Sequence, residues 1–389
     1  MNKKPLSGTK VLDIGQGVAA PYCGLLLAQY GAEVIKVEPI NGDWARGLGA
    51  PKGDQTAYSV YYNLGKKGIA VDLKTKEGLD IILKIASNSD VVLENFRPGV
   101  VDRLGIGFKD IKALNPKILY ASVSGFGQTG PYADRPGSDT VLQAFSGLVS
   151  LNRDKDEIPQ KVGTIVVDVI TGLCAFQAVS MELFGGVNEA KLLDLSLLQS
   201  AANLLAPNIA DFHMNNGPAV LLNVPAGTYR TMDSWIAVTL VKEEQFDTLC
   251  KIIEEPHLPQ DYRFNSFETR AKNKHSLMEI IQNRIKTKTS KEWLSLFTKE
   301  NILTSPVNSL GDWLEDPHVN AIEGFSEIYQ PSLGKIPIAS LPGGRPLEGI
   351  APGIGSDTEE ILISNGFSQK EINNLISKGI IVSSKAEDE

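Results

Sequence analysis

Short apolar segments alternate with longer amphipathic segments over the first half of the chain. The apolar segments are rich in Val, Ile and Leu, which favours buried strands, and the segments between them have the length of helices. Strands that alternate with helices predict a parallel sheet with helices on both faces. The predicted strands are Lys10–Ile14, Glu33–Glu38, Ile69–Leu73, Asp90–Glu94, Ile118–Val123 and Lys191–Leu195, and the predicted helices include Ala20–Tyr30 and Thr75–Ala86.

The pattern changes from Gly227 onward. Residues Tyr229–Val238 have the alternation of a hairpin of two strands, and helices rich in Lys and Glu follow. Residues 331–346 are rich in Pro, Gly and Ser, which predicts a linker. Two further helices, Thr358–Asn365 and Gln369–Lys378, are predicted after it.

A single carboxylate interrupts a long apolar run. Asp168 lies within Thr164–Leu173, and no further charge follows until Glu182, so we expect a buried helix with Asp168 in or near its first turn. Burying an ionised carboxylate is costly, but a helix N-terminus stabilises negative charge. A desolvated carboxylate is a competent nucleophile toward activated acyl groups. A purely structural role, as a helix cap or an ion-pair partner, is the alternative.

A loop that contains glycines suggests a different function. Gly15–Ala20 follows a predicted strand and opens a helix, and Glu38 ends the next strand, as in the dinucleotide-binding fingerprint. A nicotinamide-dependent dehydrogenase is therefore an alternative. Pro21 weakens it, because proline has no amide to offer a phosphate. The glycines fit close packing of strand and helix equally well.

Cations follow several predicted strands. Ligands of open α/β sheets bind at the carboxyl ends of strands, so several cations there favour a multiply phosphorylated ligand. An aromatic ring among them suits a flat base. The cations are Lys74, Arg97, Arg103 and Arg135, and Asn95 and Phe96 stand beside Arg97.

Composition narrows the possible classes. A chain of 389 residues predicts two domains, and its net charge of −8 gives no indication of nucleic acid or an anionic membrane surface as a partner. No signal region is visible and no apolar run reaches the length of a membrane span, so we expect a cytoplasmic protein. The three cysteines have no metal-ligand spacing, and none of the four histidines lies in the N-terminal half. No metal site is predicted.

Seven short motifs are spread over nearly the whole chain: Pro5–Asp13, Gly31–Glu38, Glu94–Gly99, Ser124–Pro131, Val167–Gly172, Gly227–Thr231 and Gly355–Leu362. In this order they resemble the class III (CaiB/BaiF-type) coenzyme A transferases, the family of formyl-CoA:oxalate and carnitine CoA-transferases.

The resemblance implies a particular fold. Members of that family form interlocked-ring homodimers, in which each chain is threaded through its partner. Both ends of the chain build a large domain with a Rossmann-like parallel sheet, and the middle builds a smaller α+β domain. We therefore expect residues 1–226 as the N-terminal part of a large CoA-binding domain, 227–329 as the small domain, and 330–389 as a C-terminal segment that returns to the large domain.

The resemblance also implies site residues. The family nucleophile matches Asp168, and nothing beyond CoA and acyl-CoA as substrates is implied as a cofactor. Some members carry a glutamine at the position of Val18 and an arginine at that of Pro39, and the glycine-rich flap of the formyl/oxalate enzymes is not evident before Gly227, which argues against oxalate. The residues that match CoA contacts are Val18, Ala19, Leu73, Lys74, Asn95, Phe96, Arg97, Arg103, Arg135 and Ser138.

The predicted activity is transfer of CoA from an acyl-CoA to a small carboxylic acid, through a mixed anhydride and then a CoA thioester on Asp168. Backbone amides at the start of the Asp168 helix, or in the loop Gly125–Gly130, are candidates for stabilising the oxyanions. The small residues Thr171 and Gly172 are expected to leave room for the ligand.

Three alternatives and one open question remain. Racemases of α-methylacyl-CoA are similar, and Asp168 and Glu243 match their acids, but this chain has Gly137-Ser138-Asp139 where they carry Gly-His-Asp. Serine cannot exchange a proton near neutral pH as histidine does. The dehydrogenase and a CoA-binding protein without catalysis are the others, and Asp139 is a possible supporting acid. Arg46, Arg135 and Arg230 are candidates for pairing with the far carboxylate of a dicarboxylic acid.

Overall fold

The computed structural model describes residues 4–154, 156–218, 223–331, 333–343 and 346–384. Contacts divide the chain into two units: residues 1–206 together with 323–389, and residues 207–322. The sequence predicts the boundaries at 226/227 and 329/330 instead. The first observed boundary falls at a helix that starts at Ala206, and the second differs because Ile328 is buried in the core of the first unit.

The strands of the described residues are numbered in chain order. They are β1 (Lys10–Asp13), β2 (Glu33–Glu38), β3 (Lys67–Val71), β4 (Val91–Glu94), β5 (Leu119–Ser124), β6 (Lys191–Ser196), β7 (Gly227–Arg230), β8 (Trp235–Thr239), β9 (Leu303–Pro306), β10 (Phe325–Gln330), β11 (Gly334–Ala339) and β12 (Ile381–Val382).

The α-helices are numbered in the same way. They are α1 (Ala19–Gln29), α2 (Ala57–Tyr61), α3 (Lys76–Ser87), α4 (Val100–Leu104), α5 (Phe108–Leu114), α6 (Asp139–Phe145), α7 (Leu148–Leu151), α8 (Val166–Gly185), α9 (Leu197–Leu204), α10 (Ala206–Met214), α11 (Glu244–Ile252), α12 (Phe267–Lys272), α13 (Lys274–Ile285), α14 (Ser290–Lys299), α15 (Leu310–Glu315), α16 (Pro317–Ala321), α17 (Thr358–Ser364) and α18 (Gln369–Ser377).

The first unit is built on a sheet of seven strands in the order β12-β3-β2-β1-β4-β5-β6. Strands β1 to β6 are parallel, and β12 pairs antiparallel with β3. The order of strand addition reverses between β1 and β4, and ligands of such sheets bind in the crevice at the carboxyl ends beside this reversal. The predicted α/β fold with a large parallel sheet is confirmed.

Each face of the sheet carries its own core. Successive side chains of a strand point to opposite faces, so Leu12 and Val11 belong to different cores. Leu12 packs with Ile81 and Ile82 of α3, whereas Val11 belongs to the core that includes Val167 of α8. These contacts hold the start of α8 beside the central strands.

The predicted linker at 331–346 is in part a strand, so that prediction is wrong. β10 and β11 form an antiparallel hairpin in which Ile328 pairs with Ile336. Ile328 and Ile338 are buried with Val18 and Tyr22 of the first unit. Burial of these two isoleucines outweighs the weak strand tendency of the neighbouring Gly and Pro.

The second unit has a sheet of three antiparallel strands in the order β7-β8-β9. Tyr229 pairs with Ile236, as expected of the predicted hairpin. Helices α11, α13 and α14 supply much of its core, including the fully buried Trp293 and Phe297. This unit therefore has an α+β organisation.

Helix α8 corrects one expectation. It is a helix of 20 residues that is long and apolar enough to cross a membrane by length and composition, whereas the sequence pattern predicts no such segment. The difference arises because Asp168 and Glu182, its two charged residues, lie near its ends. Helix α8 is also not the buried helix that was expected, since Leu173, Met181 and Phe184 are exposed.

Candidate active site

A cavity of about 340 Å³ lies at the carboxyl edge of the sheet, where β1, β4, β5 and β6 end. Its position agrees with the strand reversal between β1 and β4. The lining residues that the sequence predicts are Val18, Ala19, Asn95, Phe96, Arg97, Arg135, Ser138 and Asp168. Gly125 and Gly137 also line it, and they belong to the predicted loop Gly125–Gly130 and to the predicted stretch from Arg135 to Ser138. Those not predicted are Gln16, Trp44, Pro98, Val123, Ser124 and Leu197.

Three predicted CoA contacts lie outside this cavity. Leu73 packs against a core of the sheet, and Lys74 and Arg103 are exposed. Lys74 follows β3, whose carboxyl end lies at the same edge of the sheet but two strands away from β1. That these residues bind CoA stays a prediction. The Arg103 guanidinium lies beside Gly99, which directly follows the cavity-lining Pro98.

Asp168 occupies the first turn of α8, as the sequence predicts. The residue that precedes the helix, Ile165, has no side chain that can cap it. The cap comes instead from Asp139, whose Oδ1 accepts the amides of Val167 at 2.7 Å and Asp168 at 3.3 Å. Among the described residues, none donates a hydrogen bond to the Asp168 carboxylate, which is thus left to face the cavity.

The electrostatic surroundings make Asp168 a weak acid. Burial, and secondarily the negative charge of Asp139, raise the pKa of Asp168 to about 7. The sequence predicts that the helix N-terminus keeps this carboxylate ionised. Because the capped amides already bind Asp139, they stabilise that carboxylate instead, and Asp168 is half protonated near neutral pH.

Asp139 is in turn fixed by α6. It is 6% exposed, and its Oδ2 accepts a hydrogen bond of 2.6 Å from Nε2 of Gln143. Gln143 also bonds to the backbone of Thr164 and Val162, which lead into α8. Asp139 therefore supports Asp168 in two ways: it caps α8, and its negative charge lies close to the Asp168 carboxylate.

Three amides of the glycine-containing loop after β1, those of Gly15, Gln16 and Gly17, are already bonded. The Gly15 amide donates to the Asp13 carboxylate at 3.0 Å, and the Gln16 amide donates to the Asn95 side chain at 2.7 Å. The Gly17 amide donates to the Asp43 carboxylate at 3.0 Å. A dinucleotide pyrophosphate needs such amides free. The loop therefore supports the walls of the cavity and does not fit the dehydrogenase alternative.

Glu38 also does not fit the dehydrogenase alternative. The residue is 2% exposed, and its carboxylate accepts hydrogen bonds from Arg46 Nε at 2.8 Å and from the Asp43 amide at 3.0 Å. It has no freedom to bind a ribose. Arg46 is equally committed, because it also pairs with Asp54 at 3.0 Å, so it does not serve as the partner of a substrate carboxylate.

Of the three arginines considered for a dicarboxylic acid, only Arg135 lines the cavity. Its guanidinium lies 3.7 Å from the ring centre of Tyr132. Arg230 belongs to the second unit, where it lies 5.6 Å from the Trp235 ring. Arg135 is therefore the arginine of this set that can meet a ligand in the cavity.

The groups that racemisation needs are not found at this cavity. All four histidines belong to residues 207–322, and Ser138 lines the cavity at the position of the racemase histidine. Glu243 is bonded to Arg270 at 2.5 Å and to the Phe267 amide at 2.6 Å. It therefore stabilises the second unit.

The space beside Gly172 is also not available to a ligand. A Cβ atom added there would lie 2.8 Å from the Ala19 carbonyl oxygen and from the Tyr22 ring. Thr171 is fully buried and bonds to the Val167 carbonyl at 2.7 Å. The expectation that this pair leaves room for the ligand is wrong, because the close approach of α1 fills that room.

Comparison with known proteins gives the family. The profile of CoA-transferase family III matches residues 6–358. The chain belongs to CoA-transferase family III. It is therefore an enzyme of the class that acts on CoA thioesters, as predicted.

Similar proteins agree with this assignment. The human succinyl-CoA:glutarate CoA-transferase is 32% identical, with 98% of this chain and 90% of that protein covered. The succinyl-CoA–D-citramalate CoA-transferase of Chloroflexus aurantiacus is 29% identical over 97% of this chain and 98% of its own length. The crystal structure of a CaiB/BaiF family protein from Brucella suis superimposes with a TM-score of 0.81 and 28% identity, covering 94% of this chain and 100% of that one.

Proposed function

We propose that this chain transfers CoA from an acyl-CoA donor to a carboxylic acid by covalent catalysis at Asp168. The observation that carries the proposal is the state of this carboxylate. It is the one acidic side chain among the residues that line the cavity, and no described residue donates a hydrogen bond to it. Weakly solvated carboxylates are the more reactive nucleophiles, and the low-dielectric surroundings favour attack over hydrolysis.

The chemistry proceeds in four steps. The Asp168 carboxylate attacks the thioester carbonyl, and the carbon–sulfur bond breaks. CoA departs as the thiolate, and a mixed anhydride is formed on Asp168. The thiolate then attacks the aspartyl carbonyl, forming an aspartyl-CoA thioester and releasing the donor acid. An acceptor carboxylate displaces the thiolate to form a second anhydride. Attack of the thiolate on the acceptor carbonyl completes the transfer and restores Asp168, with no net change in protons.

The amides at the start of α8, which the sequence offers for stabilising the oxyanions, are not free to do so. The first amides of α8 donate to Asp139, and the Gly127 amide donates to Ser124 Oγ at 3.0 Å. Side-chain donors in the cavity include Gln16, Arg97, Arg135 and Ser138. We infer that these side chains, and not the helix amides, face the developing negative charge.

We infer that the acceptor is a short dicarboxylic acid. The human relative is named for glutarate and the Chloroflexus relative for citramalate, and Arg135 offers a cation in the cavity with Asp168. Arg135→Ala is expected to raise KM for glutarate about ten-fold or more while changing KM for butyrate little, since an arginine–carboxylate contact is lost only with the former. Equal losses with both acids would assign Arg135 to CoA instead.

The test of the function itself uses the wild-type protein with succinyl-CoA as donor. Formation of new CoA thioesters is followed by mass spectrometry over acetate, butyrate, succinate, glutarate and citramalate. Transfer to at least one acid supports the proposal. CoA binding without transfer to any acid would favour a non-catalytic CoA-binding protein.

We also propose that the chain forms a homodimer. Leu173, Met181 and Phe184 are 43%, 60% and 90% exposed, and positions i, i+8 and i+11 fall on one side of a helix. An apolar face of this kind on a monomer is costly in water. The resemblance to the interlocked family indicates a second copy as the covering partner.

Phe184→Glu is expected to lower the yield of dimer on refolding about ten-fold or more, because a carboxylate would be buried in an apolar interface. Light scattering after size-exclusion chromatography of the refolded protein measures the mass of the wild type and the variant. Phe184→Leu is the control and should remain dimeric. A monomeric wild type would contradict the proposal, and flotation of the wild type with lipid vesicles would show that the apolar face of α8 meets a membrane instead.

A further inference from the structure

Trp44 is a large apolar side chain at the mouth of the active-site cavity. It lines the same cavity as Asp168 and yet is 56% exposed. It starts a short 3-10 helix, Trp44–Gly47, in the connection between β2 and α2. A half-exposed indole on the wall of a cavity is a surface that a bound acid can cover.

The backbone beneath Trp44 is rigid. Asp43 accepts the Gly17 amide at 3.0 Å and the Ala45 amide at 2.9 Å, and it pairs with Lys36 at 2.8 Å. Both charged side chains of this pair are 1% exposed. A buried and fully bonded carboxylate immediately before Trp44 fixes the direction in which the helix starts.

The indole itself is held by close contact with the cavity loop. Gly17 has a φ of +76°, and a Cβ atom added there would lie 2.0 Å from the indole. The ring therefore packs directly on the Gly17 backbone, and any side chain at position 17 would displace it. Trp44 is thus positioned by the loop whose neighbouring residues, Gln16 and Val18, also line the cavity.

We propose that Trp44 contacts the acyl group of the substrate, limits the length of the acid and keeps water from the aspartyl anhydride. This inference rests on the proposed function. The reaction that Trp44 suppresses is attack of water on the acyl carbonyl of the anhydride, which breaks the bond to the Asp168 oxygen. It releases the free acid and returns the Asp168 carboxylate, so that acyl-CoA and water give acid and CoA thiol.

The test compares Trp44→Ala, Trp44→Phe and the wild type with succinyl-CoA. Thiol release without an acceptor measures hydrolysis, and thioester formation with glutarate, pimelate and suberate measures transfer. In Trp44→Ala the ratio of hydrolysis to transfer should rise about ten-fold, and the preference for glutarate over suberate should fall about ten-fold. Trp44→Phe should stay within about three-fold of the wild type because an aromatic wall remains.

Trp235→Ala is the matched control, since Trp235 is 44% exposed and does not line the cavity. Binding of CoA with glutarate should quench tryptophan emission in the wild type and in Trp235→Ala but not in Trp44→Phe. An unchanged hydrolysis ratio and an unchanged acid preference in a folded Trp44→Ala protein would overturn the inference. Absence of transfer in the wild type would instead overturn the proposed function, so the two failures are distinguishable.

Discussion

Asp168→Asn is expected to abolish CoA transfer, with a loss of at least about ten-thousand-fold in kcat, because an amide cannot form the mixed anhydride. The direct measurement is intact-protein mass after incubation with succinyl-CoA and then hydroxylamine. The wild type should gain a hydroxamate on Asp168, and the variant should not. Asp80→Asn, which changes an exposed carboxylate outside the cavity, is the control and should behave as the wild type.

The same substitution should stabilise the protein at alkaline pH. The pKa of Asp168 is about 7 in the folded chain and 3.8 for an ordinary aspartate, so the folded state binds the extra proton between these values. Stability from this group is complete below about pH 4 and is lost as the pH rises through about 7. At pH 8 we expect Asp168→Asn to be more stable by roughly 2–4 kcal/mol.

Chemical denaturation at pH 8 therefore separates two explanations of an inactive variant. A protein that has lost only its nucleophile would be inactive and more stable than the wild type. An inactive variant with lower stability would indicate that Asp168 serves the fold, and the proposed mechanism would fail. Transfer retained by Asp168→Asn would lead to the same conclusion.

The second large effect is a pH dependence set by Asp139. Since the ionised form of Asp168 is the nucleophile and its pKa is about 7, kcat/KM for the donor should rise about ten-fold per pH unit below 7 and level off above it. Asp139→Asn removes the neighbouring negative charge and so lowers the pKa of Asp168. The rising limb should therefore move about one unit toward acid.

The choice of asparagine keeps the cap of α8 but gives up the hydrogen bond that Oδ2 of Asp139 accepts from Gln143. Its Oδ1 can still accept the amides of Val167 and Asp168, whereas Asp139→Ala would remove the cap of α8 as well. Stopped-flow release of CoA thiol between pH 5 and 9 gives the two profiles. The midpoint of the pH profile is compared between the wild type and the two variants. If it does not move in Asp139→Asn but does move in Asp168→Glu, burial alone sets the pKa of Asp168.

Much of the sheet could be predicted from local pattern. Runs such as Glu33–Glu38 and Lys191–Ser196 are strands because their branched apolar residues pack well on a pleated surface. The hairpin of β10 and β11 was missed, since Gly334 and Pro337 weaken its local strand tendency. Only the burial of Ile328 and Ile338 against Val18 and Tyr22 makes it a strand pair.

The site shows the same division. The predicted residues Val18, Phe96 and Asp168 meet at one cavity because each follows a strand of the parallel sheet or starts a helix beside it. Gln16 lines the cavity although the sequence offers its glycine-containing loop only for a dinucleotide or for packing. Trp44 and Leu197 gave no signal, since nothing in their local sequence differs from that of an ordinary connection or helix start.

Residue pattern and motifs are enough to predict the parallel sheet, the family, and Asp168 as the candidate nucleophile at the start of an apolar helix. The properties of that nucleophile come from contacts made in the folded chain. The charge of Asp139, which comes from a distant part of the chain, caps α8 and helps to raise the pKa of Asp168, and Asp43 holds Trp44 over Gly17 at the cavity mouth. Such effects depend on which distant groups share a desolvated volume, and a local pattern of residues carries no record of that.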